Sequence, residues 1–161
     1  MFFKKIRYDA ALVNIGGGRQ KLMTDIRNNS RCIIDDEVLA DKIFQRIKKY
    51  IPSEFKGKQV VSLNERLRFL RYHPGERFEP HFDGCYIREN GERTYITVQL
   101  YLNEGAKGGE TRMFGDDLSV FYDVVPQTGM VLVFQHDILH SGNEVAEGVK
   151  YCMRSDVLYT A

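Results

Sequence analysis

Residues 95–102 read YITVQLYL, and this stretch decides the fold class that the sequence predicts. Tyrosine or polar residues at 95, 97, 99 and 101 alternate with aliphatic residues at 96, 98, 100 and 102. Because successive side chains of a β-strand point to opposite faces, the alternation predicts a strand. We expect its aliphatic face to pack in an apolar layer and its polar face, with Tyr101, to border a pocket.

Short strands separated by turns are predicted on both sides of this stretch. Before it, Leu67 and Phe69 alternate with arginines, and the His73-Pro74-Gly75 turn leads into a second run that reaches Asp83. After it, we expect strands at 111–114, 118–125, 130–134 and 150–159. Many short strands at regular spacing are typical of a sandwich or of a double-stranded β-helix.

The N-terminal third of the chain predicts one helix and little other regular structure. Residues 2–14 have the composition of a strand, and the glycines at 16–18 then indicate a turn. Asp35 and Asp36 are candidate helix caps, apolar residues recur at helical spacing from Val38 to Ile51, and Pro52 ends the pattern. The predicted fold class is therefore α+β but mainly β: a double-stranded β-helix, or jelly roll, with at least one supporting helix.

Length and composition fit one globular domain, residues 1–161, with its core motifs in 64–160. The 161 residues are 43% hydrophobic and 28% charged, and the formal net charge of +1 gives no reason to expect a nucleic-acid or membrane partner. Three widely spaced cysteines suit neither a disulfide framework nor a zinc ribbon. The first residues lack the apolar stretch of a signal peptide, so we expect free thiols and a cytoplasmic location.

The triplet His81-Phe82-Asp83 is the first candidate for a metal site. If it lies in a strand, its imidazole and carboxylate share one face and can converge on one point. Alone, the triplet is a weak motif that is more typical of an ordinary ion pair. A third ligand would have to come from His136 or His140. Two histidines and one carboxylate leave three positions of an octahedral metal open, which suits iron(II) oxygenases.

Further motifs follow one another in order from Asn64 to the C-terminal end. They are Tyr72-x-x-Gly75, residues 78–83, Tyr101-Leu102-Asn103, residues 108–111, Gly129, His140-x-Gly142 and Lys150. Taken together they resemble the prolyl 4-hydroxylase-like branch of the 2-oxoglutarate/iron(II) oxygenases.

This resemblance implies the cofactors and the residues that hold them. It implies Fe(II), 2-oxoglutarate as co-substrate and O₂, with ascorbate as a further candidate cofactor. The implied iron ligands are His81, Asp83 and His140. Lys150, ten positions after the histidine, would bind the distal carboxylate of 2-oxoglutarate, and Tyr72 and Tyr101 would hydrogen-bond the co-substrate. A buried carboxylate is costly unless a cation meets it, which is the role expected of the lysine.

The substrate is less well indicated. The family hydroxylates prolines in polypeptides, whereas relatives on this scaffold act on other peptides or on free small molecules. The candidate substrate contacts are Arg27, Arg31 and Arg66. Arg154 and Asp156 share a strand face with the lysine, and we expect them to form a structural ion pair with each other.

Two other functions compete with this prediction. His136-Asp137-Ile138-Leu139-His140 has the four-residue histidine spacing of a zinc hydrolase, although aspartate stands where such enzymes carry glutamate and the segment leaves little room for a helix. A β-barrel module that binds a metal or a sugar without catalysis is the second alternative. A lysine placed for a dicarboxylate argues against that module.

Overall fold

The computed structural model describes residues 2–161. Its helical segments are a 3-10 turn at Phe2–Lys4, the helix α1 at Glu37–Ile47 and a 3-10 turn at Lys48–Tyr50. Within these residues the strands are β1 (Asp9–Ala10), β2 (Val13–Asn14), β3 (Gln20–Lys21), β4 (Ser30–Asp35), β5 (Glu54–Phe55), β6 (Lys58–Leu63), β7 (Arg66–Tyr72), β8 (Phe78–His81), β9 (Arg93–Tyr101), β10 (Lys107–Gly108), β11 (Thr111–Phe114), β12 (Phe121–Val124), β13 (Val131–Gln135), β14 (His140–Gly142), β15 (Val145–Glu147) and β16 (Lys150–Tyr159).

Two antiparallel sheets form the jelly roll. The major sheet has the order β1-β4-β7-β16-β9-β13, and β6 pairs with the C-terminal part of β16. The minor sheet has the order β12-β11-β14-β8. Tyr101 of the major sheet donates a hydrogen bond to Thr111 of the minor sheet, so the two inner faces meet across a partly polar interior. The predicted fold class is confirmed.

The outer face of the major sheet holds the main apolar core. Helix α1 packs its buried residues Ala40, Phe44 and Ile47 against this face, in one cluster with sheet residues such as Leu67 and Val98. Burial of a large apolar side chain such as Phe44 or Ile47 contributes roughly 1.5–3 kcal/mol. The strands that carry the inner polar residues are therefore held in register from behind.

Helix α1 begins where the sequence predicts and ends earlier. The Asp36 carboxylate accepts a hydrogen bond from the Leu39 N–H at 2.8 Å, which is an N-cap. The α-helix ends at Ile47 and continues as the 3-10 turn, because Ile51 before Pro52 takes an extended conformation.

Elsewhere the structure differs from the sequence predictions in the extent or number of strands. Residues 2–14 form a 3-10 turn and two strands of two residues each instead of one strand. The strand predicted at 118–125 is shorter, since Asp117 accepts backbone hydrogen bonds from Ser119 and Val120 in a turn before β12. Strand β4 was not predicted.

The three cysteines at 32, 85 and 152 are free thiols, as expected. Among the described residues, no helix combines the length and the hydropathy that are needed to cross a membrane.

Candidate metal centre

Paired strands of the minor sheet bring His81 and His140 together. His81 ends β8, His140 begins β14, and the two residues are direct partners in the antiparallel register. The register shifts directly afterwards, because the next pair is Gly142 with Phe78. The chain advances three residues along β8 between these pairs but only two along β14, which is a β-bulge. This bulge lets the Phe78 ring stack on the His81 ring at 3.5 Å between centroids.

Asp83 reaches the same point from outside the strand. Strand β8 ends at His81, so the alternation argument for the triplet was wrong in detail. A hydrogen bond from the Asp83 N–H to the His136 carbonyl fixes the segment instead, at 3.1 Å. The carboxylate is buried, accepts a hydrogen bond from the Thr97 hydroxyl at 2.5 Å and lies 2.8 Å from the Arg154 guanidinium.

Electrostatics keep this carboxylate ionised. Burial alone would raise the pKa of Asp83, but the guanidinium of Arg154, the neighbouring His140 and the Thr97 hydroxyl together hold the pKa below its ordinary value. Asp83 therefore presents a charged oxygen in a buried position, which is the form that binds a metal.

The three side chains offer donor atoms that converge. One potential ligand atom from each of His81, Asp83 and His140 lies within 4.8 Å of the others. The Nδ1 atom of His81 lies 2.8 Å from the Glu79 carbonyl, and that of His140 lies 2.9 Å from the Ile138 carbonyl. A carbonyl can only accept, so both Nδ1 atoms are the protonated donors and both Nε2 lone pairs are left for a metal.

Burial also keeps both imidazoles neutral. Desolvation, with His140 as the next largest influence, lowers the pKa of His81 to about 3, and desolvation likewise lowers the pKa of His140. Two neutral imidazoles and one carboxylate, all in the ligand form, fit a divalent metal ion.

His136 does not join this group. Its side chain is buried and its Nε2 atom lies 3.6 Å from Asp156. Strand β13 ends at Gln135 and β14 begins at His140, and a turn rather than a helix joins them. The helical zinc-hydrolase motif is therefore absent here.

A lysine lies in the cavity beside the histidines. This cavity is called the lysine cavity below. The lining residues used in the following paragraphs are Tyr72, Gln99, Thr111, His140 and Lys150. Lys150 begins β16 opposite Tyr72 in the register and is only 3% exposed. Its Nζ atom lies 5.1 Å from the centre of the Tyr72 ring, and it forms no ion pair with any carboxylate in residues 2–161. Burial lowers its pKa.

Gly109 makes room for the lysine stem. A Cβ atom at this position would lie 3.3 Å from Lys150 Cδ and 2.9 Å from Val145 Cγ2. Its φ of +73° also lies in the region that favours glycine.

The two tyrosines predicted to contact the co-substrate differ in position. The Tyr72 side chain lines the lysine cavity, and its hydroxyl has no hydrogen-bond partner among the described residues. Tyr101 is fully buried behind the cavity wall, and its hydroxyl is bound to Thr111 Oγ1 at 2.7 Å. The structure thus gives Tyr101 a supporting position instead of direct contact, and Thr111 lines the cavity in its place.

Thr111 and Gln99 line the lysine cavity, and the sequence predicted no role for either of them. Thr111 Oγ1 accepts hydrogen bonds from the Tyr101 hydroxyl and from the Gln99 amide, the latter at 2.8 Å. With its lone pairs used in this way, its own proton is available to the cavity. The polar face of residues 95–102 was a signal for Gln99, and Thr111 is the last residue of the motif at residues 108–111.

A second cavity adjoins the lysine cavity and shares Arg27, Phe78, His81 and Arg154 with it. We call it the arginine cavity, because four guanidinium groups border it: those of Arg27, Arg31, Arg68 and Arg154. His81 and Asp83 also line it. Arg154 and Arg68 both bind Asp156, at 3.1 Å and 2.9 Å, so the predicted pairing of Arg154 with Asp156 is present.

Arg66 lies elsewhere. It pairs with Asp35 at 3.3 Å near the protein surface and lines neither cavity. Its prediction as a substrate contact is not supported, because Arg66 begins β7 at the end of the strand remote from Tyr72.

Two imidazoles and one carboxylate in a jelly roll define the class of mononuclear non-haem metal centres. The sequence model of the 2OG-Fe(II) oxygenase superfamily matches residues 67–155, more than half of the chain. The chain therefore belongs to the 2OG-Fe(II) oxygenase superfamily. Membership identifies the metal as Fe(II) and the co-reactants as 2-oxoglutarate and O₂.

Within this superfamily the chain is prolyl 4-hydroxylase-like. Probable prolyl 4-hydroxylase 11 of Arabidopsis thaliana is 41% identical over 71 residues, which are 44% of this chain and 23% of the relative. Prolyl 4-hydroxylase 2 of the same plant is 34% identical over 116 residues, covering 54% of this chain and 39% of the relative. The chain thus spans well under half the length of these relatives.

Solved prolyl hydroxylases share the fold. A prolyl-4-hydroxylase from Pseudomonas putida superposes with a TM-score of 0.68 and 24% identity, covering 92% of this chain and 76% of that one. A prolyl hydroxylase from Trichoplax adhaerens, solved with a peptide of the hypoxia inducible factor oxygen degradation domain, gives a TM-score of 0.73 at 14% identity. The match covers 99% of this chain and 73% of that one.

Proposed function

We propose that this protein is a 2-oxoglutarate- and Fe(II)-dependent dioxygenase that hydroxylates an unactivated C–H bond, first of all in a prolyl residue of a peptide. The substrate C–H, 2-oxoglutarate and O₂ become C–OH, succinate and CO₂. One oxygen atom enters the product and the other enters succinate. When bound, the iron supplies the activation of O₂ and the abstraction of hydrogen.

One observation carries the proposal: a convergent metal-ligand set lies beside a buried lysine that lacks a carboxylate partner. His81 and His140 belong to the ligand set and, with Lys150, also line the lysine cavity. A buried ammonium without a counter-ion is costly, and an anionic ligand that bridges metal and lysine would relieve this cost. 2-Oxoglutarate has that shape, with a chelating end and a distal carboxylate.

The chain's own residues then have distinct tasks. Lys150 Nζ and the Tyr72 hydroxyl, neither of them paired within residues 2–161, donate to the distal carboxylate. Burial raises the pKa of Tyr72, which keeps its hydroxyl protonated as a donor. Thr111 adds a third donor, while Tyr101 and Gln99 hold Thr111 in place.

The support for a peptidyl substrate comes from the relatives. The Arabidopsis proteins bear the name prolyl 4-hydroxylase, and the Trichoplax enzyme was solved with a peptide. The arginine cavity is lined by both His81 and Asp83, so a substrate bound there would lie next to the candidate metal ligands.

The lysine assignment is tested with Lys150→Ala. We expect the KM for 2-oxoglutarate to rise at least about tenfold, since a charge-assisted hydrogen bond is worth roughly 1.5–3 kcal/mol, with succinate formation largely restored at saturation. Lys107→Ala is the control, because this exposed lysine pairs with Glu147 on the surface and should leave the KM unchanged. An unchanged KM in Lys150→Ala would show that the distal carboxylate binds elsewhere.

The reaction itself is tested by succinate formation in air and by mass spectrometry of proline-containing peptides. We expect succinate from the wild type, even without peptide, and none from Asp83→Ala, which loses both a ligand and its charge. An added oxygen on a prolyl residue supports the substrate class, whereas succinate without any hydroxylated peptide contradicts it.

A further inference from the structure

Arg27 is a buried cation without a carboxylate partner. Its side chain is 7% exposed, and burial lowers its pKa. Its Nε atom donates to Asn29 Oδ1 at 2.8 Å and Nη1 lies 3.4 Å from the Leu12 carbonyl, while Nη2 has no hydrogen bond in the described part of the chain. Two neutral acceptors do not offset a buried guanidinium charge.

The backbone fixes the position of Arg27 close to the metal ligands. Arg27 forms an isolated antiparallel bridge with Phe78, and the neighbouring Ile26 carbonyl accepts the Glu79 N–H at 2.9 Å. The guanidinium then lies 4.4 Å from the centre of the Phe78 ring, and this ring stacks on His81. The charge is therefore held by the same strand that carries a metal ligand.

Arg31, which is partly buried, adds a second positive charge without a carboxylate partner among the described residues. Strand β4 pairs Arg31 with Leu70, whose side chain belongs to the apolar cluster between the sheets, so Arg31 faces the interior. Its hydrogen bond goes to the neutral Gln20 side chain at 3.0 Å. Burial, with the nearby guanidinium of Arg27 next, lowers its pKa to about 10.

The charge balance of the cavity wall is positive. Four guanidinium groups border the arginine cavity, and the carboxylates paired with them are Asp83 and Asp156. Asp83 is also assigned to the metal. A protein of net charge +1 has thus concentrated unpaired positive charge in one cavity. A stack on Phe78 explains the orientation of Arg27 but leaves its charge without a counter-ion.

We propose that the arginine cavity is an anion subsite in which Arg27 and Arg31 bind a carboxylate of the substrate close to the carbon that is hydroxylated. The inference rests on the proposed function and adds the substrate class, an acidic one. The carboxylate belongs to a peptide C-terminus, to an acidic neighbour of the target residue or to a free amino acid. A guanidinium forms charge-assisted hydrogen bonds with a carboxylate, and Arg27 Nη2 has no other partner within residues 2–161.

The test measures binding to protein loaded with Mn(II) and 2-oxoglutarate, which fills the lysine cavity without turnover. The probes are matched acid and amide pairs at constant ionic strength: N-acetyl-proline with its amide, the acetylated dipeptide amides prolyl-glutamate with prolyl-glutamine, and free proline with prolinamide. In at least one pair we expect the acid to bind at least about tenfold more tightly than the amide. The pair that discriminates identifies the source of the carboxylate.

Three variants assign the preference to residues. Arg27→Gln is expected to reduce the ratio of acid to amide affinity to near one, and Arg31→Gln to reduce it at least about threefold. Arg66→Gln removes an arginine that lies outside both cavities and should keep the full ratio. Circular dichroism and thermal melting establish that each variant is folded. If Arg27→Gln does not fold, Arg31→Gln still tests the proposal.

The proposal is overturned if the wild type shows no acid preference in any pair, including the case in which nothing binds, or if a folded Arg27→Gln protein retains the preference. Acid-selective binding without an added oxygen on any proline would uphold the anion subsite and remove the prolyl substrate. Hydroxylated proline peptides without any acid preference would uphold the prolyl substrate and remove the anion subsite.

Discussion

Asp83 is held by two contacts that a metal ligand needs for a fixed orientation. The Thr97 hydroxyl donates to one carboxylate oxygen at 2.5 Å and Arg154 binds the other at 2.8 Å. Both partners project from the inner face of the major sheet, whereas Asp83 belongs to the loop after β8. A loop residue thus acquires the rigidity of a sheet residue.

Thr97→Val tests this arrangement, because valine keeps the shape of threonine and removes the hydroxyl. We expect Fe(II) affinity to fall about 10–100-fold, the usual cost of losing a group that orients a ligand. The measurement is an anaerobic Fe(II) titration.

Thr94→Val is the matched control for this variant. Thr94 is a buried threonine of the same strand whose hydroxyl accepts the Tyr86 N–H, at 2.9 Å. The Thr94→Val protein should lose about as much stability as Thr97→Val but should keep the Fe(II) affinity of the wild type. Equal metal affinity in Thr97→Val and in the wild type would mean that the hydroxyl does not orient the ligand.

At the level of elements, the turn between β10 and β11 determines where Lys150 can lie. Gly109 packs against the lysine stem and the side chain of Val145, and its φ of +73° is unfavourable for other residues. The glycines of residues 108–111 therefore have a packing reason that the sequence alone did not reveal.

Gly109→Ala is expected to displace Lys150 and to raise the KM for 2-oxoglutarate on the order of threefold to tenfold, a cost of about 1 kcal/mol. Gly129→Ala is the control, since Gly129 has a φ of +84° and an added Cβ atom there would meet no heavy atom within 4 Å. Both variants should lose about 1 kcal/mol of stability to the positive φ, but only the first should change the KM. A KM unchanged in Gly109→Ala would contradict the packing argument.

Strands with strict alternation were predictable from the sequence, and irregular ones were not. The polar face of residues 95–102 supplies Thr97 and Gln99, and β16 places Lys150, Arg154 and Asp156 on one face, as its period of two requires. Strand β4 escaped prediction because its first residues read as a polar cluster, although the register turns Arg31 inward.

The candidate metal ligands were predictable from their motifs, but their geometry was not. The bulge in β8 and the position of Asp83 beyond the strand depend on pairing with β14 and on the His136 carbonyl, which are distant in sequence. The contact of Tyr101 with the co-substrate stays a prediction for a related reason. The strand face of Tyr101 was correct, but Thr111 from the other sheet lies in front of it.

In the molecule as a whole, one face of the major sheet contributes stability and the other carries the residues of the candidate site. Helix α1 and the main apolar cluster cover the outer face of the major sheet, while the inner face carries Lys150, Thr97 and Arg154 toward the minor sheet. Cations on the inner face are costly to bury, and the apolar packing behind them offsets that cost. The cytoplasmic location and the use of ascorbate stay predictions.

The central claim is that the ligand set and the lysine together hold Fe(II) and 2-oxoglutarate as one chelate. Its most direct test is the visible spectrum on anaerobic addition of both to the protein. We predict a charge-transfer band that requires both components, that is absent from Asp83→Ala and that needs more 2-oxoglutarate in Lys150→Ala. No band in the wild type, or an identical band in Asp83→Ala, would contradict the account.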